Sequence, residues 1–329
     1  MYFVLIYQDN YLYRKVHNMK KALFLGILSS LFFAFTFILN KQMNLSGSLW
    51  SWSASLRYIF MLPILFFIII GRKEHKEVIS HIKNNLVQWL LWSFIGFGIF
   101  YGGLCYGSQE GESWVIAGTW QITIIAGVLL SPFFYTEKIV NGTIIKIRQK
   151  IPHKTLGLST IILLGIVLMQ INDLKGVDLK KSLIGILWVL IAAFAYPLGN
   201  RKMMELCKNS LNTIQRVYGM TLASMPLWII LSIINITNND FPSSSQIFQS
   251  LIVAIFSGVV ATILFFKATD LVKNNMRHLA IVESTQAGEV IFSLLGTVIL
   301  FNGKMPNLVG YIGLILVVLG MVLNSFVKE

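Results

Sequence analysis

The sequence predicts an all-α polytopic membrane protein of ten transmembrane helices. Three observations predict it: the scarcity of charge, the recurrence of long apolar runs, and the alternation of basic residues between the segments that join them. Of 329 residues, 55% are hydrophobic and 12% charged, with a mean hydropathy of +0.70, whereas a soluble domain is roughly 25% charged. There are too few charges to coat a globule. Nearly uncharged stretches of about 18 residues or more recur along the chain, each long enough to cross about 30 Å of hydrocarbon. A transmembrane barrel would need strands of about 10 residues that alternate apolar and polar, and runs such as Phe60 to Ile70 do not alternate.

Taken in order, the spans read as 21–40, 49–70, 86–108, 112–135, 155–171, 182–199, 211–235, 246–266, 277–301 and 307–327. The first follows Met19-Lys20-Lys21, which resembles a start site, so residues 1–18 read as a cytoplasmic leader. The apolar run after it is too long for a signal-peptide core, and no A-x-A pattern follows. The second span opens on Trp50 and Trp52 and contains Arg57. Trp50, Trp52, Trp89, Trp92 and Trp114 all lie near span ends, where aromatic belts anchor helices at the membrane surface. The third carries Gly98, Gly102, Gly103, Gly107 and Gly111, small residues that let helices approach closely. The fourth holds Trp120, Gln121 and Thr123 at its midpoint. Between the fourth and fifth, Ile144, Ile145, Ile147 and Ile151 interleave with Lys146, Arg148 and Lys150, which suits a basic helix lying in the interface. The seventh contains Arg216, the ninth Glu283 and Glu289, and turn residues such as Asn238-Asn239-Asp240-Phe241-Pro242-Ser243 separate the spans.

Orientation follows from the loops, because Lys and Arg near span ends are retained in the cytoplasm. Assigned to alternate sides, 20 of the 27 basic residues fall on one side, including Arg201, Lys202 and Lys208, and five on the other. Arg57 and Arg216 alone fall inside spans. Both termini are therefore expected in the cytoplasm of a cell (cytoplasmic) membrane. The net charge of +13 belongs to topology and to lipid headgroups, and no nucleic-acid partner is implied.

Sliding the chain on itself by 159 residues superposes Gly26–Leu39 on Gly185–Leu198 with seven of fourteen positions identical, and the same offset puts Arg57 on Arg216. An offset from the first span to the sixth makes five spans per repeat. An odd number places the two copies in opposite orientations. The chain thus divides into 19–172 and 173–329, two inverted five-helix repeats, a construction that recurs in secondary transporters.

The strongest site signal is in the ninth span, since a charge at the bilayer centre costs roughly 2.5 to 3.5 kcal/mol on insertion scales. Glu283, Gln286, Glu289 and Ser293 share one arc of an α-helix, with the two carboxyls about 9 Å apart along its axis. A carboxylate removed from water favours its neutral form, which suits a group that trades a proton for substrate. The alternative reading is that one or both, Glu283 above all, make structural ion pairs, with Arg57 or Arg216. Trp120 and Gln121, and less so Thr123, are candidates to face a substrate from the fourth span, an aromatic ring beside a carboxylate being one way to hold an organic cation. Arg57 and Arg216 read as gating or ion-pairing residues, or as a grip on an anion. The five histidines do not pair at metal-ligand spacing and the two cysteines form no CxxC, so no metal or cofactor is expected.

The five-plus-five plan, the arginines a short way into spans two and seven, and the strings Gly111-Glu112-Ser113-Trp114-Val115-Ile116-Ala117-Gly118-Thr119-Trp120-Gln121 and Val282-Glu283-Ser284-Thr285-Gln286-Ala287-Gly288-Glu289-Val290 together resemble the drug/metabolite transporter superfamily. The resemblance is to its EamA-like branch of multidrug resistance efflux transporters. Gly288-Glu289-Val290 departs from the many members with proline after the polar position, and Leu295-Gly296-Thr297 from those with Glu after Leu-Gly. The resemblance implies secondary transport of small organic solutes by alternating access, usually efflux, and leaves the substrate open. Three functions remain in order of expectation: a proton-coupled exporter, an uncoupled metabolite or amino-acid facilitator or uptake permease, and, distantly, a membrane enzyme on lipid-linked substrates. The expected partners are a small organic substrate, protons and the bilayer, with the chain a monomer or homodimer.

Overall fold

The computed structural model describes residues 2–110, 119–140, 143–170, 179–208, 210–301 and 307–326. In chain order these form α1 (Tyr2–Leu45), α2 (Trp50–Gly71), α3 (His75–Asn84), α4 (Leu86–Gln109), α5 (Thr123–Leu129), α6 (His153–Gln170), α7 (Leu179–Leu206), α8 (Thr213–Thr237), α9 (Ser244–Val272), α10 (Met276–Leu300) and α11 (Leu308–Phe326). Among the described residues eight helices are long and apolar enough to cross a membrane, and a shorter apolar helix spans His153–Met169. These nine correspond to nine of the ten predicted spans. Of the tenth, 112–135, residues 112–118 lie outside the described residues, and 119–135, with α5 at its centre, is the part that is seen.

Where helices begin, the sequence supplies the cap. At α8, Asn212 Oδ1 accepts from Gln215 N–H at 3.0 Å while Gln215 Oε1 accepts from Asn212 N–H at 2.7 Å, a reciprocal box that satisfies two main-chain donors. Ser243 caps α9 through Gln246 N–H, and Asn275 caps α10 through His278 N–H, each at 3.1 Å. Three helices then depart from regular α geometry. α4 contains a wide π turn at Phe94–Ile99, α9 another at Ala254–Ala261, and α10 tightens into a 3₁₀ turn at Thr285–Ala287.

The packing follows a regular scheme. α1 lies against α9 and α10, and α7 against α4 and α5; α2 touches α9, and α8 touches α4. The pairs α2 with α8, α5 with α10, and α6 with α11 complete it. Close approaches depend on glycine: at the crossing of α4 and α7, a Cβ on Gly199 would overlap the main chain of Gly96, and one on Gly107 would meet Gly185 O and Val189. The glycine ladder of the third span is thus a packing surface at Gly98, Gly103 and Gly107. Cys105 and Cys207 are free and buried.

Three expectations need correction. The segment expected as a basic interfacial helix is an antiparallel hairpin, β1 (Tyr135–Val140) paired with β2 (Thr143–Arg148). Its β-branched Ile, Val and Thr residues favour a pleated strand over a helix. The sequence ends the sixth span at residue 199, but α7 continues to Leu206, and Arg201, expected in a loop, lies in the protein interior at 1% exposure. Trp89, expected at the surface, is fully buried, with its Nε1 donating to His81 Nδ1 at 3.0 Å.

Candidate functional site

Five helices and the residues ahead of α5 converge on a small cavity. α10 brings Glu289 and Gln286, the segment before α5 brings Trp120, α2 brings Arg57, and Phe33, Thr36 and Phe37 of α1, Phe100 and Leu104 of α4 and Tyr196 of α7 complete the lining. The free space holds roughly one water molecule, against about 300–1,000 Å³ for a ligand-binding pocket. The walls are largely aromatic. Trp120 lies 5.2 Å from Phe100 and 6.0 Å from Tyr196 between ring centroids, and Phe100 and Tyr196 are 4.5 Å apart.

Glu289 is 2% exposed, and one hydrogen bond to it is seen, from Trp120 Nε1 to Oε2 at 3.1 Å. The 3₁₀ turn Thr285–Ala287 ends just before Gly288 and Glu289. Gly288 packs on Ser30 of α1, and Gly26 on Thr285, leaving no space for a side chain at either glycine. α10 is held against α1 through its tightened turn, and Glu289 faces the cavity.

Glu283, one and a half turns earlier, is in a different environment. Its Oε1 accepts from Arg201 Nε at 2.9 Å and its Oε2 from Arg201 Nη2 at 2.6 Å, with the two side chains 5% and 0% exposed. A paired fork of this kind matches charge and hydrogen bonding together. Gly127 of α5 sits directly beneath, and a Cβ there would overlap Glu283 Oε2. The expected ion pair exists, but its cation is neither Arg57 nor Arg216.

Those two arginines also part company. Arg216 Nη1 reaches Asp270 Oδ1 at 2.7 Å, and Thr213 Oγ1 donates to Asp270 Oδ2 at 2.5 Å, tying α8 to α9. Arg57 lies 4.0 Å from the centroid of the Tyr101 ring and 5.7 Å from that of Tyr58, and among the described residues no carboxylate pairs with it. Thr123 donates to Ala193 O at 3.1 Å, and Gln121 is 1% exposed with no partner for its Oε1 among the described residues. Neither lines the cavity. Of the residues expected to face a substrate, the structure thus brings Glu289, Gln286 and Trp120 together with Arg57.

Sequence reasoning missed Tyr196, the three α1 residues, Phe100, Arg201 and Asp270. One signal was present: the 159-residue offset places Phe37 on Tyr196, and both line the cavity. Arg201 and Asp270 were hidden because both sit past the apolar stretch that defined their spans.

A bundle of long apolar helices closed around a buried carboxyl, an arginine and aromatic rings defines a polytopic membrane protein with a polar interior site. The chain belongs to the EmrE family, described as "Putative multidrug resistance efflux transporter", which matches residues 20–329. This is a family of membrane efflux transporters for small solutes and not of enzymes. Among its relatives, the "Uncharacterized protein YjlA" of Bacillus subtilis (strain 168) is 49% identical over 309 residues, covering 94% of this chain and 95% of that one. An "Uncharacterized 42.1 kDa protein in intracellular alkaline protease 3'region" of Shouchella clausii is 44% identical over 269 residues, covering 82% and 70%. A solved crystal structure superposes with a TM-score of 0.66 at 12% identity, over 92% of this chain and 96% of the other. At that identity the likeness is one of fold.

Proposed function

We propose that the protein exports small organic solutes across the cytoplasmic membrane by alternating access, with Glu289 exchanging a proton for substrate. The observation that carries this is Glu289 itself: a buried carboxyl with a single N–H donor in view, in an aromatic-lined cavity, at the middle of a membrane-spanning helix. An intramembrane carboxyl without a fixed counter-ion is costly to keep. Glu283 has such a counter-ion and is assigned a structural role. In the present conformation the cavity is too small for a solute, so binding requires the helices around it to separate.

A two-repeat reading of the packing supports alternating access. Exchanging α1 with α7, α2 with α8, α4 with α9, α5 with α10 and α6 with α11 carries each major packing pair onto another or onto itself: α1 on α9 becomes α7 on α4, and α1 on α10 becomes α7 on α5. The π turns of α4 and α9 also exchange. Residues 19–172 and 173–329 are the two repeats in this reading, inverted with respect to each other, with both termini cytoplasmic.

The test is performed in sealed proteoliposomes, with internal pH recorded while organic amines and dyes are added to wild type, Glu289→Gln and Glu283→Gln. Compound-dependent proton movement that vanishes in Glu289→Gln and survives in a folded Glu283→Gln is the expected result. Equal solute flux in wild type and Glu289→Gln, with no pH change, would replace the antiporter with an uncoupled facilitator.

A further inference from the structure

Three arginines are buried to 2% exposure or less: Arg57, Arg201 and Arg216. Arg201 has Glu283 and Arg216 has Asp270, each at hydrogen-bonding distance. Arg57 has the face of the Tyr101 ring, and its Nε finds no acceptor among the described residues. It is also the one of the three that lines the cavity. A desolvated guanidinium without an anion is unfavourable unless something restores its pairing, and its planar fork fits a carboxylate.

The opposite charge is in the same cavity. Glu289 and Arg57 both line it, yet they form no ion pair with each other. Phe33, Phe37, Phe100 and the rings of Trp120 and Tyr196 line the same cavity. The site is therefore dipolar, with an acceptor for a cation at one group, a donor fork for an anion at the other, and aromatic side chains around them.

From this arrangement we propose that the substrate is a zwitterion with an apolar or aromatic body, its ammonium group held by Glu289 and its carboxylate by Arg57. The proposal rests on the export reading above and narrows it. A lipophilic cation would leave Arg57 without a carboxylate partner among the described residues, as it is now, and would bring a second positive charge into the cavity. A simple anion would face the Glu289 carboxylate. A zwitterion satisfies both groups and adds no net charge to the apolar interior.

The experiment compares compounds matched in body and differing in charge, in proteoliposomes loaded with each and followed for efflux. One set is tryptophan, tryptamine and indole-3-propionate; a second, with its charges at opposite ends, is 4-(2-aminoethyl)benzoate, phenethylamine and 4-ethylbenzoate. In wild type, at least one zwitterion is expected to leave tenfold faster or more than its amine-only and acid-only counterparts. Arg57→Gln is expected to reduce that preference towards one, and Arg57→Lys to retain part of it. If the amines leave as fast as the zwitterions in wild type, the proposal is overturned while export stands, and this comparison needs no variant. An equal preference in wild type and folded Arg57→Gln overturns it as well. Absence of protein-dependent efflux for every compound and for the dyes overturns both readings together.

Discussion

The Arg201–Glu283 pair offers the sharpest energetic test, because everything needed to size it is visible. Both side chains are essentially removed from solvent, and two hydrogen bonds of 2.9 and 2.6 Å join them. Unit charges about 4 Å apart attract by about 4 kcal/mol at an effective dielectric of 20. Removing one member of a buried pair costs about 3–5 kcal/mol, since the survivor is left uncompensated. Here the survivor would be worse placed than usual, because Arg201 Nη1 already lacks a partner among the described residues. Glu283→Leu and Arg201→Met are each expected to lose about 3–5 kcal/mol of stability. The double variant, which removes both charges, should recover most of that loss. The assay is unfolding in mixed micelles followed by tryptophan fluorescence, run as a double-mutant cycle, with solute efflux measured on the same samples. A Glu283→Leu loss below about 1 kcal/mol, or a double variant no better than the sum of the singles, would refute the assignment of Glu283 as a structural anchor.

Three further outcomes are expected. Trp120→Phe keeps the ring but removes the N–H seen at Glu289; a loss of about 1–3 kcal/mol for the unpaired buried acceptor should appear in the same unfolding assay. Gly199→Ala forces a Cβ onto the main chain of Gly96, which has no side chain to move aside, so about 1–3 kcal/mol or more is lost, with Gly157→Ala, which meets open space, as the neutral control. Burial pushes His81 below its ordinary value of 6.5, and its neutral ring accepts from Trp89. Its stabilising contribution is therefore complete above about pH 6.5 and is lost as pH falls through the lower folded-state value. Stability profiles of wild type and His81→Gln between pH 8 and 5 should converge at the acidic end.

The helix plan was legible because lipid solvation leaves a coarse, redundant signal: about twenty apolar residues in succession read the same in any order. Spans such as 49–70 and 86–108 meet helices Trp50–Gly71 and Leu86–Gln109 to within a residue or so. The failures lie where that signal stops. The Ile-rich basic segment carries no lipid signature, and strand propensity decided it. Arg201 ended a span on paper because a charge ordinarily marks the membrane boundary; its partner, 82 residues away, reverses that inference. The carboxyls of the ninth span were visible as anomalies, but which of them had a counter-ion was not. That choice depends on long-range approach, as with Gly127 giving the Glu283 carboxylate its space, and periodicity contains no record of it.

The wide turn at Phe94–Ile99 bears on how the aromatic wall is registered. A π turn accommodates an extra residue within an α-helix, and each residue advances the helix by about 100°. Phe100 and Leu104, which follow the turn and face the cavity, are therefore phased by the number of residues before them as much as by their own identity. Deleting one residue from the turn would keep every wall side chain in the polypeptide and yet swing Phe100 away from Trp120 and Tyr196. In α9, Thr262 Oγ1, directly after the wide turn there, donates back to Ser257 O at 3.0 Å, a side-chain clasp for which Phe100, directly after the turn of α4, has no hydroxyl to offer. A side-chain hydrogen bond thus spans the wide turn of α9, and among the described residues none is seen across that of α4.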